Sequence, residues 1–130
     1  MKIDKKYKLT NNLFSFKVIE LLDFPGYPVL NLEQDTKTDE LYLSYLIKYT
    51  HAEEIEQRIY IYVSNKRLQE IKKNKIILKE AFNNPEKSIV YMLNISTKAD
   101  KIIDSYAIPK DDFKEINPIK DSYRIPIKEV

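Results

Sequence analysis

The chain has no cysteine, no tryptophan, one glycine and one histidine. The absence of cysteine removes disulfides, thiolate metal ligands and cysteine nucleophiles, and makes a reducing compartment such as the cytoplasm the natural setting. A single glycine, Gly26, cannot build the Walker A or GxGxxG phosphate cradles, which need several. No apolar run approaches the roughly 20 residues that span a bilayer. The longest, Ile59–Val63 and Ile89–Leu93, are strand-sized, so no membrane partner is expected. Lys2, Lys5, Lys6 and Lys8 open the chain, but Ser15, Lys17 and Glu20 interrupt Leu13–Leu22, so no secretory h-region follows. Nor is there an excess of one charge. The 22 basic and 20 acidic side chains leave a net charge of +2, too little to draw the whole molecule to nucleic acid or anionic lipid.

What is present is enough for one folded domain. The 130 residues are 43% hydrophobic and 32% charged, too apolar for disorder. The reading is a single α+β domain over 1–130, with a basic N-terminal arm at 1–12 and an irregular C-terminal tail at 110–130. That tail, marked by Pro118 and Pro126, shows no sustained period. Its frame is an antiparallel, meander-like sheet of five to six strands, with one or two short helices packed on one face.

Alternation carries most of that expectation. Phe14, Phe16 and Val18 predict a first strand, and Pro25, Gly26 and Pro28 a turn after it. Val29, Leu30 and Leu32 form a second, short strand that gives way to a polar connection over Glu33 to Glu40. Leu41, Leu43, Tyr45, Ile47 and Tyr49 share one face of a third strand. Ile59, Ile61 and Val63 share one face of a fourth, with Arg58, Tyr60 and Tyr62 on the other. A loop over Thr50 to Glu56 sets Ile47 opposite Ile59, Tyr45 opposite Ile61 and Leu43 opposite Val63. On the reverse face Leu46 then meets Tyr60, and Ser44 meets Tyr62.

Ser64 is placed to cap a helix from Asn65 to about Lys73, with Leu68 and Ile71 as its buried stripe and Asn74 as its stop. A helical turn over Leu78 to Asn83 buries Leu78 and Phe82 before Pro85. Ile89, Tyr91, Leu93 and Ile95, then Ile102, Asp104, Tyr106 and Ile108, read as a closing hairpin.

The segments DFPGYPVL (Asp23–Leu30), ELYLSYLIKY (Glu40–Tyr49), RIYIYVSNKRL (Arg58–Leu68), ILKEAFNNP (Ile77–Pro85) and Ile89–Leu93 stand in an order that resembles an uncharacterised bacterial family of unknown function. The resemblance implies a compact α+β domain. It brings no activity and no site residues.

No catalytic constellation is visible. His51 lies among Glu53, Glu54 and Glu56 in an expected loop, where solvated side chains are the plain reading and a metal site would need more converging ligands. A Ser-His-Asp arrangement would need a serine for His51, and Ser64 is accounted for as a cap. The adjacent acids Asp111 and Asp112 read as solvated. No cofactor and no metal are expected, and the chain is read as a non-enzyme.

Two features point to partners. Ten tyrosines include Tyr42, Tyr60 and Tyr62, which with Arg58 occupy the face opposite the apolar stripe. Tyrosine and arginine are common at interfaces, so these four are the candidate partner-binding residues of a protein-interaction module. One half of a bacterial or phage defence, antidefence or toxin-neutralising pair is a setting that fits, and self-association as a homodimer is the simplest partner. The ordinary alternative is that another layer covers these tyrosines as core. The second feature is the basic helix, where Lys66, Arg67, Lys72 and Lys73 lie near tyrosine-rich strands. That is the charge-plus-stacking recipe for RNA or single-stranded nucleic acid.

Overall fold

A computed structural model describes residues 3–11 and 14–127. The chain forms six strands, β1 (Phe16–Asp23), β2 (Leu30–Asp35), β3 (Leu41–Thr50), β4 (Ile55–Val63), β5 (Ile89–Ser96) and β6 (Lys101–Pro109). Three short helices accompany them, α1 (Asn65–Lys72), α2 (Leu78–Asn83) and α3 (Lys110–Lys114). The strands form one antiparallel sheet in the order β1-β2-β3-β4-β5-β6, so each pairs with its neighbour in sequence.

Local chemistry explains the corners. Gly26 takes φ +103° in the turn after β1, and no heavy atom lies within 4 Å of where a Cβ would stand; backbone conformation, not crowding, is what calls for glycine. With no second glycine, the other left-handed positions among the described residues fall to Asp39, Glu54, Asn74, Ser88 and Asp100. Ser64 caps α1, its Oγ accepting the Arg67 N–H at 3.2 Å, and Asn74 closes that end at φ 57°.

The main core joins strands and helices. Leu30, Leu32, Leu43, Ile59, Ile61, Val63, Val90, Met92 and Ile108 share one buried cluster with Leu68, Ile71, Leu78, Phe82 and Phe113. The helix stripes and the predicted Leu43 and Ile59–Val63 strand faces fall within this cluster. The expected first-strand face and the β5 face of the closing hairpin do not: β5 gives it Val90 and Met92, while Leu93, with Phe14, Phe16, Tyr91, Ile95 and Ile102 against it, lies in a second cluster on the other face.

Several details differ from the sequence reading. In the β3–β4 hairpin Leu41 lies opposite Val63, Leu43 opposite Ile61 and Tyr45 opposite Ile59, two residues away from the expected pairing. On the reverse face Ser44 meets Tyr60, Tyr42 meets Tyr62 and Leu46 meets Arg58. The cause is a tighter turn, since Thr50 already pairs with Ile55, combined with a bulge between Leu46 and Lys48 that takes in Ile47. A two-residue shift preserves which face each side chain occupies, so the alternation survives the error. The supposed polar connection after Leu32 is strand as far as Asp35, with Glu33 and Asp35 buried.

The tail is more ordered than its composition suggests. It contains α3, and Ile119 and Ile125 are buried in the main core. Asn74 holds it with two bonds, Nδ2 to the Ile125 carbonyl and Oδ1 from the Ile125 N–H, each 2.9 Å. Tyr123 donates to Asp23 Oδ2 at 2.6 Å. Of the basic arm, 3–11 are described: a 3-10 turn at Lys5–Tyr7 leads to an isolated bridge between Lys8 and Tyr106 on β6. Met1, Lys2 and Asn12 of that arm, and residues 128–130 of the tail, lie outside the described residues.

Candidate functional site

The second sheet face is the one on which the sequence placed Tyr42, Tyr60, Tyr62 and Arg58. The structure brings these four together but does not leave them as an open surface. Arg58 and Tyr60 are each 1% exposed and Tyr42 is buried; only Tyr62 stays partly open, with Lys87 Nζ 4.1 Å from its ring centroid. The layer above them comes from the start of β1 and the residues before it, a source not anticipated. Phe16 stacks on Tyr60 at 4.6 Å and meets Tyr42 edge-on at 5.1 Å, and Phe14 meets Tyr91 of β5 edge-on at 4.7 Å. For residues at one sheet edge to reach β4 and β5, the sheet must curl over this face. The bulges in β1, β3 and β6 supply local twist of that kind.

Beneath the rings lies a buried polar network that sequence reasoning missed. Asn31 and Glu33 on β2, Ser44 on β3 and Arg58 on β4 all point to this face. Arg58 donates from Nε to Ser44 Oγ at 3.0 Å, from Nη1 to the Pro28 carbonyl at 2.8 Å, and from Nη2 to the carbonyls of Ser44 at 2.9 Å and Val29 at 3.3 Å. Its Nη1 lies 3.6 Å from Glu56 and its Nε 4.0 Å from Glu33. Ser44 in turn donates to Glu33, and Tyr60 donates to the other Glu33 oxygen at 3.4 Å. Burial pushes the Glu33 carboxyl above its ordinary value, against the opposing pull of Ser44 and Arg58. Burial likewise raises the Tyr42 and Tyr60 hydroxyls, so both stay protonated donors. The available signal was a run of polar residues at inward strand positions, legible only once the hairpin register is right.

A cavity of about 480 Å³ opens onto this network. Phe14, Phe16 and Val18 form one wall, Asn31, Glu33, Arg58 and Tyr60 the floor, and Ile95, Asp100, Lys101 and Ile102 the wall at the β5–β6 turn. Residues from both edge strands line one space, as a curled sheet requires.

The comparison with known families bears on this region. The chain belongs to DUF6575, a family of unknown function. The match to DUF6575 covers residues 11–119 and so includes the whole network and cavity, together with all six strands. No curated protein and no solved structure matches the chain.

The basic residues of α1 do not gather into one patch. Lys66 and Lys73 are exposed, but Arg67 donates to the Asn84 carbonyl at 2.7 Å and Lys72 pairs with Glu20 of β1 at 3.2 Å. His51 stands in the four-residue β3–β4 turn, edge-on to Tyr49 at 4.7 Å. Among the described residues no group of three or more His, Asp or Glu is placed to hold a metal ion. No helix among them is long and apolar enough to cross a membrane.

The two edges of the sheet differ. The outer side of β6 receives the bridge to Lys8 and the Leu9 N–H, which donates to the Ser105 carbonyl at 2.8 Å. The outer side of β1 carries no strand or bridge among the described residues, and the side chains of Val18, Ile19 and Leu21 along this strand are exposed, Val18 beside the cavity.

Proposed function

We propose that this chain is a non-enzymatic protein-interaction module that adds a strand to its sheet at β1, with a second copy of itself as the partner. The observation that carries the reading is the β1 edge, uncovered by any strand among the described residues, where Ile19 is 48% exposed between exposed Val18 and Leu21. An unpaired edge offers a row of backbone donors and acceptors; folded proteins block such edges with charge, proline, bulges or a covering segment, and β1 has two bulges but no strand or bridge over it among the described residues. Here the covering segment lies on β6 instead.

A second copy is the simplest partner for such an edge, because two identical edges can pair about a two-fold axis in a closed assembly. The reading keeps a protein partner and moves it from the tyrosine face, which is covered, to the edge. The lack of cysteine suits a reducing, cytoplasmic setting.

The test is sedimentation equilibrium over a concentration series. The expected result is a reversible dimer that Ile19→Lys converts to a folded monomer. A chain that stays monomeric at its highest soluble concentration overturns the reading, as does an Ile19→Lys variant that associates like the parent.

A further inference from the structure

The cavity over the buried network has an imbalance of donors and acceptors that the packing does not explain. At about 480 Å³ it falls in the range of small-molecule sites. Among the described residues that line it, Arg58 is the buried cation, and its N–H groups are directed at Ser44 Oγ, at the carbonyls of Pro28, Val29 and Ser44, and toward Glu56. These contacts occupy the donors an anion would need. The other cation, Lys101, is exposed at the rim.

Acceptors, by contrast, are in surplus. Asn31 lines the cavity at 5% exposure, and its Oδ1 has no hydrogen-bond partner among the described residues. A buried amide oxygen is rarely left unpaired in a folded protein. Two residues along the same strand, Glu33 accepts from the Ser44 hydroxyl and, at 3.4 Å, from Tyr60. Two such bonds, with Arg58 Nε 4.0 Å away, leave the carboxylate acceptor capacity to spare. Asp100 adds a carboxylate at the mouth. Phe14, Phe16 and Tyr60 provide aromatic surface in the same space.

We infer that this cavity binds a small organic cation, an ammonium on a compact apolar body, held by Asn31 Oδ1 and Glu33 with its body against the rings of Phe14 and Phe16. The ammonium supplies the donors that the floor lacks, and rings beside it favour a cation over a neutral group. A cation beside Glu33 also favours the ionised carboxylate that burial disfavours, so binding releases a proton wherever Glu33 is partly protonated. The inference does not depend on the β1 edge. Apart from Val18, its residues are not those of the proposed strand pairing.

The experiment titrates the full chain with benzylamine, benzyl alcohol and benzoate, which share a ring and differ in charge, and follows backbone amide shifts by NMR. Benzylamine is expected to give saturable shifts centred on Asn31, Glu33 and Phe16, with benzyl alcohol roughly tenfold weaker and benzoate weaker still. Asn31→Leu is expected to weaken benzylamine roughly tenfold. Because Asn31 is buried, Asp100→Asn on the exposed turn serves as a second variant, expected to weaken benzylamine by about two- to threefold without touching the core. Benzoate binding as tightly as benzylamine overturns the inference, as does benzylamine binding that neither variant alters, or the absence of saturable shifts at the cavity.

Discussion

The guanidinium of Arg58 grips Ser44 twice, through the side-chain oxygen at 3.0 Å and the backbone carbonyl at 2.9 Å. Both bonds cross the β3–β4 pair one step from where Leu46 faces Arg58. A planar fork is needed to satisfy Ser44, Pro28 and Val29 together, and an ammonium cannot take its place. Arg58→Lys, which keeps the charge but loses donors to these buried oxygens, is therefore expected to lower stability by about 2–3 kcal/mol. Urea denaturation measures it, and a loss below about 1 kcal/mol would show the network to be dispensable.

Glu33 gives the fold a pH dependence of definite sign. Its folded pKa lies above the ordinary carboxyl value. The folded chain therefore keeps this proton where the unfolded chain has lost it. The contribution of Glu33 is most favourable below the unfolded value and declines as pH rises through the folded one. Glu33→Gln is expected to flatten that decline above about pH 4.5 while changing stability little at lower pH. Urea midpoints across a pH series for parent and variant check the difference in slope.

The β3–β4 register can be locked chemically, and a parent without cysteine leaves no competing thiols. Lys48 faces Gln57 in the structure, whereas the pairing read from the sequence would set Lys48 against Arg58. Lys48→Cys with Gln57→Cys is expected to oxidise to a monomeric disulfide, and Lys48→Cys with Arg58→Cys is not. Mass spectrometry without reductant distinguishes the two.

Phe16 is the lid on Tyr60. Because Phe16 is only partly buried, Phe16→Ala is expected to cost about 2 kcal/mol, less than a full core deletion. The alkaline titration should change with it. Tyr42, Tyr60 and Tyr123 all have hydroxyls raised above the ordinary value of 10.0, chiefly by burial. Their contribution to stability is thus full below that value and is lost as pH climbs beyond it. Ultraviolet difference absorbance should show these three ionising only with unfolding in the parent, and Tyr60 ionising earlier in Phe16→Ala.

Left-handed corners made without glycine are open to improvement. Glu54 stands at φ 53° in the β3–β4 turn, where its backbone carbonyl accepts from Thr97 at 2.9 Å. Glu54→Gly keeps that bond and relieves the side-chain clash of the left-handed region, for an expected gain of about 0.5–1 kcal/mol. Thermal unfolding reads the change, and a loss would mean the Glu54 side chain contributes more than its backbone conformation costs.

Much of this fold was legible because period-2 alternation over Leu41–Tyr49 and Gln57–Val63, the Ser64 cap, and the Leu78–Phe82 spacing are local signals. What escaped was non-local. Nothing in the sequence near Phe14 and Phe16 says that they lie over Tyr91 and Tyr60, because that depends on the curl of the whole sheet. Glu33 read as a loop residue because its partner Ser44 and the Arg58 beyond it are identified only by register, and the tighter turn and the Ile47 bulge together moved that register by two. The tail looked irregular because its order comes from Asn74 and Asp23, far away in the chain.

The sheet order also sets the sequence in which the molecule can assemble. Every strand pair joins consecutive segments, and each pair except β4–β5, whose connection carries α1 and α2, can zip from its own short turn with little loop to close. Three ties do not share this advantage: Lys8 to Tyr106, Asn74 to Ile125 and Asp23 to Tyr123. They join stretches far apart in the chain and can form only after the meander exists. The two chain ends therefore act as late clasps on a sheet built from the inside outward, and the amides they protect should be the first to open when the native state breathes.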